Sequence, residues 1–155
     1  MVRYKMSFAD GVALYGKYVG NWGGAATRWR FDAKNGDTVV KSVTLCPSHR
    51  LHLEVTPSAT VLREGDTYDM AGVRVRILDE NGSPAVYAQL PLTFAVTGAA
   101  ALVGPVAATA EGGMGGTYLR TVGQTGTAAL TVSAPQCAPV TVEFTVIKKE
   151  CAVWN

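Results

Sequence analysis

Val73-Arg74-Val75-Arg76-Ile77-Leu78-Asp79-Glu80-Asn81-Gly82 carries the two signals that decide the fold. Val73, Val75 and Ile77 alternate with Arg74 and Arg76, and a period of two places apolar groups on one face of an extended chain and cations on the other. Asp79-Glu80-Asn81-Gly82 then supplies residues that tolerate a tight reversal. A half-buried strand that runs into a turn is predicted here.

The same pattern repeats on either side. Upstream, Leu51, Leu53 and Val55 alternate with His52 and Glu54, and Pro57 ends the run before a loop containing Glu64-Gly65-Asp66. Downstream, Leu90, Leu92, Phe94 and Val96 share a face, with Pro91 marking an edge strand or a strand's first residue because it cannot donate to a ladder. Further strands are predicted over 117–122, 127–134 and 140–147; in the last, Val140, Val142, Phe144 and Val146 lie opposite Thr141, Glu143 and Thr145. Helical periodicity is nowhere sustained. Strand signals at about every dozen residues over about a hundred residues predict an all-β fold, an immunoglobulin-like β-sandwich over 50–155.

Residues 1–49 have a different texture, rich in aromatics and glycine. Trp29 and Phe31 oppose Arg28, Arg30 and Asp32, Val39, Val43 and Leu45 share another face, and Asn35-Gly36 suits a turn between two strands. The segment is too small for a core of its own. It is expected to be an N-terminal β segment that packs on the sandwich or belongs to a neighbouring β module, with Trp29 and Phe31 in a core.

The 155 residues carry a formal net charge of +2 with no basic stripe, so nucleic acid is not an expected partner. No run approaches the roughly 20 apolar residues of a membrane-spanning helix, and the first residues lack the apolar core of a signal peptide, so no membrane is expected and a cytoplasmic location is favoured over a secreted one. Cys46, Cys137 and Cys151 are odd in number and widely spaced, which disfavours a disulfide framework or zinc site. His49 and His52, three apart on extended chain, point to opposite faces. No metal or other cofactor is expected. Gly112-Gly113-Met114-Gly115-Gly116 precedes a strand rather than a helix, so it reads as a tight turn or bulge and not as a phosphate cradle.

Three segments, VRVRILDENGSPAVYAQLPLTFAVTG from Val73, then ALVGP, then EGGMGGTYLRTVGQTGTAALTVSA ending at Ala134, together resemble the C-terminal bacterial immunoglobulin-like module of glycoside hydrolase family 2 enzymes, chiefly β-galactosidases. The resemblance implies a bacterial accessory domain in carbohydrate degradation, whose partners are other domains of the same polypeptide and, through oligomer contacts, further copies. The chemistry would then lie in an upstream barrel. The Asn-Glu acid/base dipeptide of that family does not occur, so no catalytic residue carries over onto this chain.

Two alternatives stay open beside that reading. Tyr15, Tyr18, Trp22 and Trp29 lie among glycines and arginines, and flat aromatic faces stack on sugar rings, so a carbohydrate-binding module is one. A spacer domain of a bacterial surface protein is the other.

Overall fold

A computed structural model describes residues 5–20, 28–47 and 50–149. Trp22, His49 and Cys151 lie outside them. The chain forms two compact units, Met1–Pro47 and Ser48–Asn155.

The first unit holds a helix α1 (Phe8–Tyr18) and a hairpin of β1 (Trp29–Asn35) with β2 (Thr38–Leu45). No helical periodicity in the sequence marks α1. What starts α1 is a capping box: the Asp10 N–H donates to Ser7 Oγ at 3.1 Å, while the Ser7 N–H donates back to Asp10 Oδ2 at 2.8 Å. The hairpin is antiparallel, pairing Trp29 with Leu45 and Phe31 with Val43. Gly36, at φ +60, makes the turn that Asn35-Gly36 promised. No described residue of these three elements is buried. Trp29 and Phe31, expected in a core, are exposed; a two-stranded ribbon by itself supplies no second layer for its apolar face.

The second unit is the sandwich expected from the alternation. Its strands are β3 (Leu51–Pro57), β4 (Val61–Glu64), β5 (Met70–Asp79), β6 (Pro91–Gly98), β7 (Ala100–Val103), β8 (Ala107–Thr109), β9 (Met114–Thr121), β10 (Gly126–Ser133) and β11 (Val140–Lys148). One sheet has the order β3-β5-β9-β7, the other β4-β11-β10-β6-β8. All pairings are antiparallel except β4 with β11. Beyond Pro57 the chain leaves the first sheet and returns as β4 at the edge of the second. Pro91 is the first residue of β6, an interior strand, where the missing N–H costs least.

Of the inward sets predicted by period two, the central members are buried and the end members, among them Leu51, Val55, Leu90, Val96 and Val140, are half-buried. Leu53, Val73, Val75, Ile77 and Leu119 face Leu92, Phe94, Leu130, Val132 and Phe144 from the opposite sheet. The Asp79–Gly82 reversal is held by Asp79 Oδ1, which accepts from the N–H groups of Asn81 at 2.8 Å and Ser83 at 2.9 Å. At one end Glu64, from the second sheet, accepts the Gly123 N–H at 2.8 Å and the Thr121 hydroxyl. Thr121 is fully buried and its Oγ1 accepts the Asp69 N–H at 3.1 Å, so a polar clamp joins the two sheets there.

Candidate functional site

The aromatic cluster singled out from sequence lies in the first unit. The last turn of α1 carries Tyr15 and Tyr18, and β1 opens with Trp29. The Tyr18 and Trp29 rings stand 6.4 Å apart at a 48° tilt, and Lys17 Nζ lies 5.0 Å from the Tyr18 ring centre. That spacing suits an aromatic pair, and the cation adds electron-poor character over the ring. Tyr15 is 53% exposed, Tyr18 48% and Trp29 41%. Chemically this is a tilted, half-open aromatic pair. On the other face of the hairpin, Asp32 accepts from the Ser42 hydroxyl at 2.5 Å and from Arg30 Nε at 2.9 Å. Those bonds, Ser42 first, hold its carboxyl below the usual range.

Two glutamates of the sandwich are tied into structural contacts. Glu54 receives Arg76 Nε at 2.8 Å and Nη2 at 2.9 Å in a two-pronged pair across β3 and β5. Glu64 belongs to the sheet-joining clamp, and its hydrogen bonds keep it ionised below the usual glutamate value. Glu111 opens the turn before β9, and Glu143 sits mid-strand on β11. Among the described residues no group of three or more His, Cys, Asp or Glu is placed to hold a metal ion. Cys137 is a free thiol, and burial raises its pKa.

The glycine run forms a tight turn. Gly112 at φ +57 and Gly113 at φ +74 connect Glu111 to Met114, with the Met114 N–H donating to the Glu111 carbonyl at 3.0 Å. No phosphate-type cradle is formed, since strand β9 follows at once.

A concavity in the second unit was not anticipated from sequence. It opens on the outer face of the β3-β5-β9-β7 sheet with a volume of ≈ 450 Å³, lined among others by Thr56, Ser58, Gly72, Arg74, Gly116 and Tyr118. Gly72 pairs with Tyr118 and Arg74 with Gly116, so two outward positions on neighbouring central strands carry no side chain. Tyr118 lies across the gap at Gly72, where a Cβ would come within 3.3 Å of its Cε1. The sequence signal was present in the outward parity of Gly72 and Gly116.

The chain matches the family described as glycoside hydrolase family 2 C-terminal domain 5 over residues 53–143, nearly all of the sandwich. No curated protein matches it. Among solved structures, a β-glycosidase from Bacteroides vulgatus shares the fold with TM-score 0.64 at 17% identity, covering 79% of this chain and 18% of that one. A glycosyl hydrolase family 2 member from Bacteroides cellulosilyticus gives TM-score 0.62 at 14% identity, covering 78% and 17%. A β-glucuronidase of glycoside hydrolase family 2 gives 0.60 at 17% identity, covering 81% and 14%. The chain thus spans less than a fifth of the length of each.

Proposed function

We propose, on the premise that this chain belongs to the glycoside hydrolase family 2 C-terminal domain 5 family, that it serves as a non-catalytic accessory module of a β-glycosidase, bracing the catalytic domain or bordering its substrate cleft. The observation that carries the reading is the extent of the match. The family region fills the sandwich, and the similar hydrolases are several times longer, with room for a catalytic domain elsewhere. The placement of the carboxylates supports it: a retaining glycosidase needs two carboxyl groups about 5–5.5 Å apart, one of them kept protonated, whereas Glu54 is tied to Arg76 and Glu64 to Thr121 and Gly123.

Membership in a hydrolase family favours this role over that of a surface-protein spacer. The first unit, lacking buried side chains among its described residues, fits a piece of a neighbouring β module in the parent polypeptide. The parent's sugar is a β-galactoside in this reading, with a β-glucuronide as the competitor raised by one of the similar structures. Incubating the chain with chromogenic β-galactoside and β-glucuronide should release no chromophore. Robust turnover of either by the pure chain would refute the accessory role.

The half-exposed Tyr18 and Trp29 pair favours a second reading, a sugar-binding platform that also draws on Tyr15 and Trp22. It requires a saturable change in tryptophan fluorescence with galactose, lactose or a galactan oligosaccharide, and loss of that change in Trp29→Ala or Trp22→Ala.

A further inference from the structure

The groove on the outer face of β3, β5 and β9 lies on residues that the proposed role leaves unused. Its floor is bare backbone. At Gly116 a Cβ would sit 2.5 Å from the Val73 carbonyl oxygen, so no side chain fits there without displacing the neighbouring strand. At Gly72 a Cβ would press on the Tyr118 ring. Glycine at both places keeps the concavity open, and its ≈ 450 Å³ falls within the range of about 300–1,000 Å³ typical of ligand pockets.

The walls have a definite chemistry. Tyr118 is 57% exposed and offers a ring that rests by one edge against the Gly72 backbone. Arg74 makes no ion pair among the described residues, whereas its neighbour Arg76 is fully engaged by Glu54. Ser58 Oγ accepts the Gly72 N–H at 3.0 Å, which leaves its own proton free to be donated outward. Among the described residues no Asp or Glu lines the groove. Neutral sugars, whose hydroxyls donate as well as accept, are usually met by side-chain acceptors. Here the hydroxyls of Thr56, Ser58 and Tyr118 both donate and accept, and Arg74 is the donor-only, charged group of the lining, which suits a ligand that brings an anionic acceptor itself.

We propose that this groove binds an acidic saccharide, a chain of carboxylate-bearing sugars, with a ring face against Tyr118 and a carboxylate on the Arg74 guanidinium. Arg74 and Gly116 are register partners on adjacent strands, so the cation stands beside the open floor rather than at its far rim. The planar fork of arginine matches a carboxylate with two parallel N–H···O bonds, and the stacked ring fixes the sugar's orientation. All the residues that line this site belong to the second unit, whereas Tyr18 and Trp29 belong to the first.

The test is titration calorimetry of the full chain with oligogalacturonate and, separately, with a neutral galactan oligomer of equal length. Saturable binding of the uronate is expected, with the neutral oligomer at least about tenfold weaker, as a lost charge-assisted bond implies. Arg74→Gln should remove that preference while leaving the thermal unfolding temperature unchanged, because the side chain is exposed and unpaired. Tyr118→Ala should weaken both ligands, and Trp29→Ala neither. Equal affinity for the two oligomers, no binding of the uronate, or a uronate preference that survives Arg74→Gln in the folded protein would each overturn the assignment.

Discussion

Strand β10 places Ala128, Leu130 and Val132 in a closed interior where all three are buried, while β1 and β2, strands of similar length, bury nothing. Both regions show alternating apolar residues and a good turn. The difference is the second layer. In the sandwich the apolar face of each sheet meets the other, and removal of that area from water at roughly 25 cal/mol per Å² offsets the ordering of the chain. In the first unit no described residue of α1, β1 or β2 is buried. Alternation in sequence therefore specifies which face is apolar, and only topology decides whether that face becomes a core.

The largest effect should come from the centre of the sandwich. Phe144 is 1% exposed at the middle of β11, so Phe144→Ala removes a large side chain from a region with no room to collapse. A loss of about 3–5 kcal/mol in unfolding free energy is expected by urea denaturation followed by circular dichroism. A loss below about 1 kcal/mol would mean that the sandwich is no better packed than the hairpin. Next is Gly113→Ala. Gly113 has φ +74, and a Cβ there would lie 2.5 Å from the Ala85 carbonyl oxygen, whereas Gly82 at φ +77 has open space around it. Both substitutions cost backbone strain of about 1–2 kcal/mol, and Gly113→Ala should exceed Gly82→Ala because a clash is added. Equal losses would show that the turn before β9 relaxes freely.

The same contrast explains what could be read from the residues alone. The strands β3, β5, β6, β9, β10 and β11 were legible because Val, Leu, Ile, Phe and Thr alternate along them. The short strands β7 and β8 were not, since they are built around Ala100, Ala101, Ala107 and Ala108, and alanine carries little strand preference. Four-residue β4 is defined mainly by its parallel pairing with β11, a long-range contact that no local window holds. Helix α1 contains Gly11 and Gly16, which weaken any helical signal, and its one clear mark is the Ser7 and Asp10 capping box. At the candidate sites, residue types were legible and proximity was not. Tyr18 and Trp29 belong to different elements, α1 and β1, whose approach no local sequence window holds, and the groove is made by side chains that are missing.

A smaller effect sharpens the comparison through pH. Glu64 joins the two sheets, and its carboxyl is held below the usual glutamate value, chiefly by the Thr121 hydroxyl and then by the Gly123 N–H. Because the folded-state value is the lower one, the carboxylate's stabilisation is complete above the unfolded-state value and disappears as pH falls through the folded one. Glu64→Gln should therefore be less stable than the parent at neutral pH, and the two should converge as the pH drops below about 4.3. A stability difference that persists unchanged in acid would assign the effect of Glu64 to shape rather than charge. Asp32 is also held low, but its bonds to Ser42 and Arg30 lie within the hairpin, so Asp32→Asn should leave the acid limb of the sandwich transition where it is.

The smallest effect belongs to Trp29→Ala. Trp29 pairs across the hairpin with Leu45 and touches Tyr18, contacts that contribute roughly 0.2–1 kcal/mol to local order. None of those partners belongs to the sandwich. The main unfolding transition should therefore stay within about 0.5 kcal/mol of the parent, despite the loss of a larger side chain than Phe144. Hydrogen exchange of the β1 and β2 amides should quicken in the same variant, because opening of the hairpin is a local event. A shift of the main transition comparable to that of Phe144→Ala would make the two units one cooperative structure, and the size of that shift would measure the coupling between them.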